Sequence, residues 1–171
     1  MTLSLYDVSI PVFSRALQNM SAFLEKARTW ADETGLEHDE ILNASLYPDT
    51  PSLIGQVQSA CDAARLTAVR VAATEPLDIP ATEKTFDDLE ARIVRTLGYL
   101  DAVPRDAMDG REDTKVVLTR PEHEVTFTTR DYMLSFALPN FYFHVAMAFA
   151  VLRHNGVPVS KPDFISGRYT E

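Results

Sequence analysis

The sequence predicts a mainly α-helical protein: a four-helix bundle with a small β-hairpin inserted before the last helix. Three observations carry that prediction. Four long stretches space their apolar residues at three and four, the period of an amphipathic helix. Short polar or proline-containing connections separate them. Only one pair of short segments, Lys115 to Thr119 and Glu124 to Thr128, carries the β-branched content of strands.

The first helix has the clearest period, with Tyr6, Ile10, Phe13, Leu17, Met20, Leu24, Ala27 and Ala31 forming one stripe. Pro11 implies that the helix starts or bends there, and Gly35 supplies a stop because glycine adopts positive φ cheaply. A polar connection, Leu36 to Asp49, has room for a short turn of helix. The second long helix is expected to begin at Thr50 with Pro51 in its first turn, where a missing N–H costs nothing. Its stripe is Ile54, Val57, Cys61, Ala64, Ala68 and Val71, small enough for a neighbour to approach closely.

Pro76 and Pro80 mark a linker, after which Thr85 and Asp88 form a capping box for the third helix. Phe86, Leu89, Ile93, Leu97 and Leu100 make its apolar face. The hairpin strands flank Arg120-Pro121-Glu122-His123. Thr128 with Asp131 is a second capping pair, opening the last helical segment. Pro139 is expected to kink or split that segment, and Asn155-Gly156 to stop it after a cationic turn of Arg153 and His154.

This last helix is apolar over a broad arc, with Ala137, Phe141, His144, Ala148 and Val151 on one stripe and Leu138, Tyr142, Val145, Phe149 and Leu152 on the next. Three neighbours leave part of such an arc uncovered, so a homodimer is expected. Tyr132 to Leu152 is also long enough to span a bilayer. Its Ser135, Pro139, Asn140 and His144 favour a bundle helix over a membrane span.

Composition narrows the function classes. The 171 residues are read as a single domain, 1–171, with 46% apolar and 24% charged residues. A net charge of −9 with singly scattered basic residues argues against binding to nucleic acid or anionic membranes. One cysteine, Cys61, and the absence of a signal-like N-terminus fit a cytoplasmic protein.

The run Leu138-Pro139-Asn140-Phe141-Tyr142-Phe143-His144, followed by Leu152-Arg153-His154-Asn155-Gly156-Val157, resembles the signature of an uncharacterised bacterial domain family related to the DinB/YfiT-like metalloenzymes. Pro11-Val12-Phe13, Gln56-Val57-Gln58 and Lys161-Pro162-Asp163-Phe164 extend the resemblance over nearly the whole chain. It implies a DinB-like bundle and no established activity. It also implies where a metal would sit in the wider group: three histidines, one from the second helix and two at i and i+4 on the last. Here His144 is the only matching ligand position. Four residues later stands Ala148, and the second helix has no histidine. No metal is therefore expected, zinc or nickel being the ions to test.

His144 is the candidate catalytic residue, as a general acid/base or residual ligand. Gln58, Asp62, Tyr142 and His144 are the pocket candidates. Cys61 sits mid-helix on an apolar stripe and reads as a small core residue rather than a reactive thiol. Asp62 reads as the partner of Arg65 at i+3. No phosphate loop, CxxC, HExxH or GxSxG occurs. The sequence identifies no reaction. It favours a non-catalytic binding or structural module with a degenerate metal site, a small apolar ligand being the one expected, over a metal- or thiol-dependent transferase or hydrolase using His144.

Overall fold

The computed structural model describes residues 3–119 and 122–166. Four long helices form the bundle: α1 (Ile10–Thr34), α3 (Leu53–Ala72), α4 (Phe86–Asp101) and α6 (Leu138–His154). Short helices α2 (His38–Leu42), α5 (Thr129–Tyr132) and α7 (Lys161–Ile165) complete the helical set, with a 3-10 turn at Arg105–Ala107. Strands β1 (Lys115–Thr119) and β2 (Glu124–Thr128) pair antiparallel, with Lys115 opposite Thr128 and Thr119 opposite Glu124. The sequence places both strands at these same bounds.

The helix ends follow from local chemistry. α1 begins beside Pro11, and Gly35 ends it at φ 72 with its N–H on the Ala31 carbonyl. Tyr6, the first member of the predicted stripe, precedes the helix in a turn. α3 starts later than Thr50: Ser52 is the cap, its hydroxyl accepting from the Gly55 N–H, and Pro51 lies outside the helix. Close packing of that entry also explains Gly55, where an added Cβ would lie 2.9 Å from the Pro51 Cβ. Thr85 and Asp88 form the full capping box of α4. Thr128 caps α5 by accepting from the Asp131 N–H.

Pro139 has the predicted effect in a particular form. A π-helical stretch, Met133–Ala137, separates α5 from α6 and ends just before the proline. Proline cannot donate to the carbonyl four residues back, and a wider turn at that point is one way to redistribute the bonds. At the far end Asn155 caps α6 and Gly156 follows at φ 90.

α3 packs on α6 and α4, and α1 packs on α4, α6 and α7. Between them lies one hydrophobic core that includes Phe13, Leu17, Met20, Val57, Cys61, Leu89, Ile93 and Phe141. Phe13 and Phe141 meet edge-to-face at 4.8 Å between ring centres, and burial of each ring contributes about 2 kcal/mol. The hairpin packs on α5, with Val116 and Leu118 buried and Val117 exposed. It is fastened to α5 by the Thr129 N–H on the Thr114 carbonyl at 2.8 Å. Thr129–His154 is long and apolar enough to cross a membrane. One side of it packs into the core through Phe141, Val145, Ala148, Val151 and Leu152, while Leu134, Tyr142 and Phe143 are exposed.

A candidate site between two helices and the hairpin

His144 lies on the face of α6 that meets the first turns of α3. Its Nδ1 is 2.9 Å from Oε1 of Gln56, and Gln56 is wholly buried. The Gln56 amide nitrogen donates to the Pro51 carbonyl at 3.2 Å, which fixes which end of the amide faces the ring. Oε1 can only accept, so the proton sits on His144 Nδ1. Burial lowers the His144 pKa from its ordinary value, keeping the ring neutral near pH 7. Among the described residues Nε2 has no protein partner, and it is left with a lone pair. The ring therefore offers a hydrogen-bond acceptor or a base.

His144 lines a cleft of about 570 Å³ between α3, β1 and the α5–α6 segment. Ser59, Ala63, Leu66, Thr67 and Arg70 supply one wall from α3; Tyr132, Phe136 and Asn140 supply the opposite one. These α3 residues recur at three and four and so share a helix face. Tyr132 is buried, and its hydroxyl accepts from Arg70 Nη1 at 3.0 Å and lies 3.4 Å from Thr67 Oγ1. The Tyr132 and Phe136 rings stack at 5.8 Å. This lining carries hydroxyls, an amide, an imidazole and a guanidinium, so it suits a polar ligand better than the small apolar one expected from sequence.

The four pocket candidates separate. His144 and Asp62 line the cleft; Gln58 and Tyr142 do not. Gln58 lies on another side of α3, where its amide donates to Glu83 at 2.7 Å. Successive helical residues turn by about 100°, so Gln56 and Gln58 diverge by about 200°. Tyr142 is 39% exposed on the outer side of α6, packed against Phe141. Asp62 bonds Arg65 as expected, at 3.1 Å, and also the buried Arg92 at 2.8 Å. Cys61 is buried with its thiol pushed up to about 12, chiefly by desolvation, so it does not supply a nucleophile.

Sequence reading missed Gln56, Arg70 and Asn140 as parts of one site, and favoured a core role over a pocket one for Tyr132, which is buried and lines the cleft as well. Gln56 had a usable signal: it stands four and eight residues before Ala60 and Ala64, both buried, and so belongs to the inner face. The donor set does not fit the three-histidine ion that the resemblance implies. Gln56 already spends its carbonyl on His144, Ala148 is fully buried without a donor, and no group of three His, Cys, Asp or Glu able to hold an ion occurs among the described residues.

A profile for a domain of unknown function, DUF1993, matches residues 5–165. The chain belongs to that family. A solved structure described as a DinB family member protein from Shewanella denitrificans is 30% identical in sequence. It superposes with a TM-score of 0.88 over 98% of this chain and 94% of that one. The mainly-α, DinB-like fold and the kinship of this family with DinB proteins are thereby established. No curated protein matches the chain.

Proposed function

We propose that this DUF1993 protein is a non-catalytic binding module that takes a small polar ligand in the cleft between α3, β1 and α6. The observation that supports this reading most is the Gln56–His144 bond at 2.9 Å. An imidazole whose Nδ1 is fastened to a buried amide keeps Nε2 as an acceptor aimed at one ligand donor. A degenerate metal site of this kind recognises by hydrogen bonding, without a resident ion. The buried Cys61 and the incomplete donor set weigh against the thiol- and metal-dependent alternatives. A cytoplasmic setting accords with the single reduced cysteine.

The test has two parts. Metal content is measured on untagged protein before and after incubation with zinc, nickel and manganese, with His144→Ala as control. Small neutral fragments are then titrated in amide NMR spectra. The reading expects no His144-dependent stoichiometric metal, and shifts clustered at Ser59, Thr67 and Asn140. Stoichiometric metal lost in His144→Ala would overturn it in favour of a metalloenzyme.

We further propose a homodimer through the exposed side of the last helical segment, where Leu134 in the π-helical stretch is 58% and Phe143 in α6 55% exposed. Phe143→Glu is expected to convert a dimer to a monomer in light scattering. A wild-type protein already monomeric at working concentration would refute the dimer.

A further inference from the structure

Three consecutive β1 residues, Val117, Leu118 and Thr119, line the cleft. Side chains alternate between the faces of a strand, so three neighbours in a row cannot all reach it by side chain from one face. The strand presents its edge. β2 occupies the other edge of β1, and no β2 residue lines the cleft, so the edge turned to the cleft is the unpaired one. Among the described residues, no backbone bond outside the hairpin ladder involves Val117, Leu118 or Thr119. An open strand edge is a template for another extended backbone.

Charge at the cleft adds a direction. Two formally charged side chains line it, Asp62 and Arg70. Asp62 is already neutralised by Arg65 and Arg92. Arg70 is exposed; among the described residues it makes no ion pair, and it donates to the neutral Tyr132 hydroxyl. In a chain of net charge −9, the cleft thus keeps one uncompensated cation. It stands at the end of the cleft opposite His144, since Gln56 and Arg70 are about 21 Å apart along α3 at 1.5 Å per residue. An extended chain of about six residues covers that span.

Resting on the reading of the cleft as a binding site, we propose that its ligand is a short extended peptide, added to the free edge of β1 with its C-terminal carboxylate on Arg70. Backbone bonds to β1 hold the chain. The guanidinium, with two nitrogens free of Tyr132, receives the carboxylate in a charge-assisted pair. His144 Nε2 accepts from a donor near the other end.

The test compares two degenerate pools of such peptides in NMR titrations against the full chain, one with free C-terminal carboxylates and one with C-terminal amides. The free-acid pool is expected to shift the amides of Val117, Leu118 and Thr119 together with the Arg70 side chain. Amidation, or Arg70→Gln in the protein, is expected to weaken this by about tenfold or more. Arg70 is exposed, so an unchanged melting temperature in Arg70→Gln separates lost binding from lost fold. Equal binding of both pools overturns the carboxylate anchor. Shifts at His144 without shifts in β1 overturn the strand pairing. No shift with either pool overturns the peptide; if the neutral fragments still bind, the cleft reading stands, and if they too fail, both fall.

Discussion

On one flank of α3 the buried Gln56 meets the imidazole of His144; on another, Gln58 and Asp62 meet the carboxylate of Glu83 and the guanidinium of Arg92. Both clusters are polar and largely buried, yet they are satisfied to different degrees. Arg92, with its side chain 1% exposed, bonds Glu83 at 2.8 Å, Asp62 at 2.8 Å and the Pro80 carbonyl at 3.2 Å. Arg65 adds a bond to the Leu77 carbonyl, so the linker between α3 and α4 is tied down at several points. The Nη donors of both arginines are spent inside the cluster, and the two donors left over, Nε of Arg65 and Nε of Arg92, are buried where no ligand reaches them. The His144 cluster instead keeps Nε2 open beside a cleft. Donors turned inward on one another mark a structural cluster, and a spare lone pair on a preorganised ring that opens on a cleft marks a site.

The largest consequence of that difference concerns Arg92. Arg92→Met strands the carboxylate of Glu83, itself 7% exposed, and is expected to cost about 3–5 kcal/mol in urea denaturation. Glu83 illustrates the dependence: burial alone raises its pKa, but the Arg92 and Gln58 bonds outweigh that and leave it lowered. A loss below about 1 kcal/mol would erase the contrast between the two flanks.

Gln56→Leu sharpens the comparison from the other side. It removes the acceptor of His144 Nδ1–H and the donor to Pro51, and is expected to cost about 1–3 kcal/mol. It also frees the ring to exchange tautomers, which Arg92→Met does not. Nitrogen shifts of the His144 ring in both variants separate the two effects.

The smallest effect is in pH. Folding lowers the His144 pKa below its ordinary 6.5, so the unfolded chain binds more protons between the lowered value and 6.5. The neutral ring's contribution is therefore fully present above pH 6.5 and is lost as pH falls through that window. Stability curves of wild type and His144→Phe are expected to converge in slope above it and diverge within it. Parallel curves throughout would mean that burial of the ring does not discriminate between its protonation states.

Much of this was legible in the sequence. The α4 capping box, the glycine stop after α1, the hairpin bounds and the disturbance at Pro139 are local effects, written in a few adjacent residues. The site was legible only in part, because it depends on helix phase and on long-range pairs. Gln58 and Tyr142 were plausible by type but rotate away from the cleft, while Gln56 rotates into it. Arg92 reads as one more charged helical residue, and only the packing of the linker reveals it as buried. The role proposed for the β1 edge depends on a neighbour it lacks among the described residues, which no local pattern encodes.

The most direct measurement is a nitrogen–proton spectrum of ring-labelled histidine at pH 7.5, with and without one equivalent of zinc. A neutral His144 protonated on Nδ1, with Nε2 bare and unchanged by the metal, is the predicted result. A His144 protonated on Nε2, or an Nε2 that shifts on stoichiometric zinc binding, would contradict the account of a metal-independent recognition site.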